Sequence, residues 1–460
     1  MRGPTPTAFA LLAAVAAVGL AVVPFVAPAA DTTGPTGEIA YDPTVPEEYD
    51  FADPPADGTA RVDGERYATL DRALAAAAPG DTVVVDGTVS GPVTVETPNV
   101  TVTGADDFGV VTGNGEGTVL RVNASDVTLE RLWVRNSGYS AADNDAGVWL
   151  AGRNATVRDS RVTAVTFGIW VDGVADARIE NTTIVGRESV ERLSDRGNGI
   201  QLWEATDAVV ENVRITDARD GIYFSWSSRV EARNNTMWDL RYGVHYMYSD
   251  HSRLVDNTAF DNDVGYALML SESLTLVDNR AVNNTGGSGH GVLLKSVDRS
   301  TLRGNEFVGN DNGVFLYNSL DNTLDGNLVA GNDVGVHVTA GSVDERVVNN
   351  TFIDNRVPVN AVIGQRVAWN TSDRGNYWAD ARVADTDDDG VSDVRHRPAG
   401  VVQQVTRETP AARVYTTSPA FRTVRIAESA LPVIDTPGVV DHHPLAEPTT
   451  DAWREYYDRD

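Results

Sequence analysis

The chain has 460 residues, with 37 Lys plus Arg against 66 Asp plus Glu, a formal net charge of −29 and no cysteine. That balance excludes nucleic acid as a partner, because no basic stripe exists to neutralise phosphates. The missing thiols exclude disulfide bracing and any thiolate metal site.

Length is only a prior on domain count, since a repeat architecture absorbs it in one elongated unit. Lys295 is the only lysine, and the carboxylates are spread along the whole chain. Such a surface suits a halophile's protein in concentrated salt, and in dilute buffer it would repel itself.

In chain order, residues 1–30 read as a signal peptide. Arg2 precedes an uncharged run from Ala8 to Ala30, and Ala27-Pro28-Ala29 forms a small-residue exit before Asp31. An uncleaved anchor is the alternative, because the run is long enough to span a bilayer. Either way the remainder is expected outside the cytoplasmic membrane. Residues 31–60 are rich in Pro, Asp and Gly and read as a linker. A short helix follows, carrying Leu70, Leu74 and alanines to Ala78 before the Pro79-Gly80 stop. Its expected role is to cap an otherwise open sheet edge.

From Asp81 the pattern changes to short β-branched runs such as Thr82-Val83-Val84-Val85 and Val100-Thr101-Val102, broken by Gly and Asn. Glycine then opens a strand at Gly147, Gly168, Gly199, Gly221, Gly243, Gly265, Gly291, Gly313 and Gly335, in steps of 21, 31, 22, 22, 22, 26, 22 and 22 residues. The two long steps hold polar insertions, near Glu188 to Asp195 and at Thr285 to Gly289. Asparagine columns keep step: Asn212, Asn235, Asn257, Asn279, Asn305, Asn327 and Asn350, then Asn262, Asn284, Asn310, Asn332 and Asn355. A fixed period of this kind marks a solenoid. Each coil holds three short strands and three turns, with like residues stacked about 4.8 Å apart. Parallel crossovers are right-handed almost without exception. The fold class is therefore all-β, a right-handed parallel β-helix over 61–360, with the asparagines as turn residues bonded coil to coil.

One and three residues after each glycine the chain is apolar or aromatic, as in Ile222/Phe224, Val244/Tyr246 and Tyr266/Leu268, and this column faces the core. The outward positions, two and four after glycine, carry Trp149, Trp170, Trp203, Tyr223, Phe315 and Tyr317 where an acidic protein would place carboxylates. An apolar stripe of that size marks a partner-binding surface, unless the C-terminal segment folds over it. His245 and Met247 share this face, with Met269 one period after Met247. An imidazole and two thioethers make a Cu(I) donor set; a plain Met-aromatic contact surface is the bland alternative. Arg219 and Arg241, with Asp263 next in line, read as a charge ladder whose carboxylate is Asp263 or Asp220.

After Val362 the period stops, and 361–460 is expected to pack on the solenoid. Within it, Asp385, Asp387, Asp389 and Asp393, with the Val391 carbonyl, have the spacing of a calcium loop. His396 stands where an EF-hand has its bidentate Glu, so the loop is not an EF-hand.

The strings Arg196-Gly-Asn-Gly-Ile200, Arg219-Asp-Gly-Ile-Tyr223, Arg241-Tyr-Gly-Val-His-Tyr-Met-Tyr-Ser249, Ala267-Leu-Met269 and Gly375-Asn-Tyr-Trp378 together resemble the NosD family. That family is the extracytoplasmic β-helix component of nitrous oxide reductase maturation. The resemblance implies an accessory protein rather than an enzyme. It would work with an ABC transporter ATPase and membrane subunit, a copper chaperone and nitrous oxide reductase, delivering copper or sulfur to the reductase's copper centre. Two other readings compete: a polysaccharide lyase or uronate C5-epimerase using Arg219, Asp220, Asp250 and His251, and a carbohydrate-binding surface protein. Fold alone does not separate them.

Overall fold

The computed structural model describes residues 39–45, 49, 51, 54, 57–105, 108–339, 341–402, 405, 409–415, 418–430 and 437–457. The expected signal peptide lies outside the described residues. The chain is an all-β parallel solenoid and divides into two compact units, one running from Tyr41 to Thr301 and the other from Leu302 onward with Ile39 and Ala40.

In the 41–301 unit each regular coil gives one strand to each of three parallel sheets. A representative coil comprises Glu231–Arg233, Thr236–Trp238 and Tyr242–Met247. These pair in register with Arg253–Val255, Thr258–Phe260 and Val264–Glu272 of the next coil. Ile222, Phe224, Val244, Tyr246, Tyr266 and Leu268 are all buried, as the alternation requires. Phe224 and Tyr246 stack at 4.1 Å between centroids. The first turns are closed by an antiparallel cap. Thr59–Val62 pairs antiparallel with Thr82–Asp86, and the helix Leu70–Ala76 buries Leu70, Ala73 and Leu74. The described part of 31–60 is more than a spacer: Tyr41, Tyr49 and Phe51 pack on Phe260, Trp238 and Trp133 at 5.7, 6.1 and 5.8 Å.

The glycine column is set by close approach. A Cβ on Gly221 would lie 2.3 Å from the Gly243 carbonyl oxygen, and one on Gly243 would lie 2.7 Å from that of Gly265. No side chain fits between coils spaced as sheet neighbours.

The asparagines form ladders, but they are not the turn residues themselves. Asn235 Nδ2 donates to Asn257 Oδ1, and Asn257 Nδ2 to Asn279 Oδ1, each at 2.9 Å. Each is buried, and the left-handed backbone belongs to the residue before it, as at Asn234 (φ 53°), Asp256 (φ 53°) and Asp278 (φ 54°). Asn212 (φ 54°) sits in this second, exposed column, and Val213 takes the ladder position. The separation is physical: an asparagine turned inward satisfies neighbouring backbone groups, whereas the turn needs only a residue tolerant of φ > 0.

In the unit from Leu302 onward the same ladder runs through Asn305, Asn327, Asn350 and Asn376 at 3.0, 2.8 and 2.9 Å. Asn376 ends it on Asp441, whose Oδ2 also accepts the Trp378 indole N–H at 2.9 Å. Trp378 stacks on Phe352 at 4.1 Å. The Asn-Tyr-Trp motif is thus the last rung. Beyond it Arg366–Ala368, His396–Ala399 and Gly438–Asp441 form a small sheet, and Thr449 bonds Thr351 at 2.9 Å. The C-terminal segment therefore packs on the coils of its own unit.

Candidate functional site

The glycine-led sheet of the 41–301 unit carries one concentrated cluster, built from the strands Asp220–Ser225, Tyr242–Met247 and Val264–Glu272. Their register places Tyr223, His245 and Ala267 side by side, with Ser225, Met247 and Met269 in the next column and Lys295 after Met269. Met247 and Met269 are thus direct neighbours, one coil apart and half-buried. His245 is buried. Its ring stacks on Tyr223 at 4.3 Å and meets Tyr242 edge-on at 5.0 Å.

The carboxylate behind the ring is Asp220, with no exposed surface. Its Oδ2 lies 3.0 Å from His245 Nδ1, and Arg241 donates to both oxygens, at 2.8 and 2.6 Å. Arg219 stands 3.8 Å away. Burial alone would raise the Asp220 carboxyl, but the hydrogen bonds from His245 and Arg241 and their charge outweigh it and hold the group below the usual carboxylate range. An ionised Asp220 only accepts, so Nδ1 carries a proton and Nε2 is the nitrogen left for another partner. This is how protein metal sites orient an imidazole ligand. The small Ala267 flanks the ring on the following coil.

Of the two carboxylates expected for the charge ladder, Asp220 is the one the arginines share. Arg219 and Arg241 converge on Asp220, whereas the Asp263 carboxylate accepts from the Gly287 backbone N–H at 3.3 Å, in the polar insertion. Of the expected partner-binding aromatics, Trp149 and Trp170 are not available. They stack on each other at 4.9 Å and are buried with Phe167, with the partly buried Ala141 packed against them. The loop between the strands Leu132–Arg135 and Ala146–Leu150 covers them, which an alternation pattern does not register. Trp203 is exposed and Tyr223 half-buried against His245. In the other unit Phe315 lies edge-on to His337 at 4.6 Å, and Tyr317 is exposed.

Sequence reasoning missed a further column. Trp226 and Tyr248 stack at 4.3 Å, are 56% and 42% exposed, and have φ of 55° and 53°; Leu270 (φ 53°) follows. Bulky residues in the left-handed region are strained. The signal was present, since the same position holds Gly173 and Gly341 in other coils. Tyr248 directly follows Met247 in sequence, and Leu270 directly follows Met269.

The acidic loop brings Asp385, Asp387 and Asp389 together, with one carboxylate oxygen of each within 4.8 Å of the others. Asp385 accepts the Asp388, Asp389 and Gly390 N–H groups, which holds its carboxyl below the usual range. Asp393 is turned to Thr386, accepting its N–H at 3.0 Å, and the Val391 N–H binds Asp389 at 2.8 Å. Asp250 accepts the Glu272 N–H, and His251 is an exposed turn residue.

The family model described as "Periplasmic copper-binding protein (NosD)" matches residues 180–382, a stretch that takes in Asp220, His245, Met247, Met269 and Asn376–Trp378. A protein of Pseudomonas aeruginosa named "Probable ABC transporter binding protein NosD" is 38% identical over 349 residues, covering 72% of this chain and 81% of that one. The chain belongs to the NosD family. The namesake from Stutzerimonas stutzeri is 34% identical over 360 residues, 74% of this chain and 81% of its own. Both relatives bear the name of a binding protein and not of an enzyme. Among solved structures, the Azotobacter vinelandii mannuronan C-5 epimerase AlgE6 A-module aligns with a TM-score of 0.52 at 16% identity, over 64% of this chain and 91% of that one. At that identity the likeness is one of fold, and the epimerase's chemistry does not transfer to this NosD-family chain. Among the described residues no helix is long and apolar enough to cross a membrane.

Proposed function

We propose that this NosD-family protein is an extracytoplasmic accessory factor in maturation of the nitrous oxide reductase copper centre, and that it holds Cu(I) as cargo at His245, Met247 and Met269. The observation that carries this reading is the buried Asp220 bound to His245 Nδ1, which leaves Nε2 as the free nitrogen on the face that presents both methionines. Imidazole and thioether are soft or borderline donors suited to Cu(I). Neutral thioethers hold copper without thiolate charge, which suits a site that must release what it binds.

Copper arrives from a chaperone and leaves toward the reductase. An ABC transporter ATPase and its membrane subunit are the remaining partners, in keeping with the name that both relatives carry. Trp203, Tyr223, Trp226 and Tyr248 supply the apolar rim on which such a partner docks. Calcium has a separate, structural place at Asp385, Asp387 and Asp389, where convergent carboxylates need a cation to offset their repulsion.

Affinity purification from membranes of cells making the tagged chain, followed by metal analysis, tests the reading. Copper and the ABC ATPase with its membrane subunit are expected in the eluate. An eluate free of both contradicts it.

A further inference from the structure

A second site lies on a different sheet of the 41–301 unit. A cleft of about 390 Å³ runs along the outward column Arg135, Thr163 and Val185, which are register partners in three successive coils. Trp133, two residues before Arg135, shares its face. Tyr49, Phe51, Pro54, Arg187, Glu188 and Ser189 also line the cleft.

Arg187 is only 7% exposed. Its Nη2 donates to the carbonyls of Ser137 at 2.8 Å and Ala164 at 2.6 Å, which pins the base of the Gly186–Asn198 insertion. The exposed Tyr139 ring lies 3.8 Å from its Cζ. None of these contacts supplies negative charge, and Nε is buried with no acceptor. Arg135 lies over Trp133 at 5.0 Å. Among the described residues no carboxylate is within ion-pair reach of either guanidinium, and Glu188 is an exposed rim residue. Elsewhere in the unit arginines find acids readily, as Arg153 does with Asp176, Arg229 with Asp207 and Arg233 with Glu211. A buried guanidinium with no counter-charge among the described residues is costly, so one that stands beside a second arginine in an aromatic cleft calls for an anion.

We propose that this cleft binds a small organic carboxylate, the acid group taken by Arg135 with the Arg187 charge beside it, and an apolar or ring-shaped body lying against Trp133 and Phe51. The Arg135 guanidinium fork matches a carboxylate, and a cleft of this volume suits a ligand the size of one aromatic or sugar ring. The aromatic walls favour that body over a bare inorganic anion. The site is independent of copper, and its failure leaves the copper reading untouched.

Calorimetric titration of the full chain with benzoate, glucuronate and inorganic phosphate tests the proposal. At least one of the two carboxylates is expected to bind with Kd near or below about 1 mM, with phosphate at least about tenfold weaker. Arg135→Gln, which removes no backbone pin, is expected to weaken the carboxylate at least about tenfold while leaving the melting temperature unchanged. No heat from either carboxylate, binding unchanged in Arg135→Gln, or phosphate binding as tightly as the carboxylates would each overturn the proposal.

Discussion

The residue on which the site turns is Asp220. Replacing it with Asn keeps the shape but leaves the Arg241 guanidinium without its bidentate partner and frees His245 to change tautomer. Destabilisation of about 1.5–3 kcal/mol is expected at pH 7, measured by urea unfolding, because charge-assisted hydrogen bonds to a half-buried guanidinium are lost. Cu(I) affinity is expected to fall by about 10- to 100-fold. The pH dependence follows from the depressed carboxyl. Its contribution is present above the unfolded value and is lost as pH falls through the lower folded value. Wild type and Asp220→Asn should therefore differ throughout neutral pH and converge only well below about pH 4.

The sequence made His245, Met247 and Met269 legible because they follow the outward alternation. Asp220 was legible only as a possible counter-ion to the arginines. It stands one residue before Gly221, where the alternation breaks: a Cβ on Gly221 would meet Met237 and Leu240 on the core side, and Ile222 also points inward. Two inward positions in succession turn Asp220 outward, onto the next coil's histidine. Counting by twos across the glycine places it in the core instead.

At the scale of elements, the ladders hold coil to coil. Asn257 Oδ1 accepts the Asn235 N–H and Nδ2, while its own Nδ2 donates to Ala232 O and Asn279 Oδ1. Asn257→Ala orphans several buried groups together and is expected to cost about 2–4 kcal/mol. A cost within 0.5 kcal/mol of zero, again by urea unfolding, would mean that water replaces the amide (about 0.5 being the usual surface range). The period located this column, but one of its assigned members, Asn212, belongs to the neighbouring turn column. Both columns repeat every coil, and a one-residue offset is invisible to a period alone.

The Trp226–Tyr248 turn offers the opposite case. Asn is at ease where Trp is strained, so Trp226→Asn should change stability by less than about 1 kcal/mol, strain relief offsetting lost stacking. The same variant should reduce recovery of the membrane partner. A large loss of stability with full partner recovery would make the stack structural.

For the molecule as a whole, charge is the dominant variable. Asp217, Asp239 and Asp261 occupy equivalent left-handed turns in consecutive coils. Burial raises all three carboxyls; Glu188 and Asp239 add to it at Asp217, and Asp239 does so at Asp261. A raised carboxyl favours the fold when protonated, and that contribution is lost as pH rises through the folded value. At neutral pH these rungs repel one another within a chain of net charge −29. The melting temperature is therefore expected to climb as sodium chloride goes from about 0.1 to 1 M, where the Debye length shrinks from about 10 to 3 Å. A flat or falling profile would show that surface repulsion is not limiting.

Cu(I) titration of the intact chain against a chromophoric chelator, compared with a His245→Ala, Met247→Ala, Met269→Ala variant of normal melting temperature, bears most directly on the copper reading. Wild type should take copper from the chelator and the triple variant should leave it there. Equal uptake by the two proteins would contradict the assignment of the cargo site to this face of the solenoid.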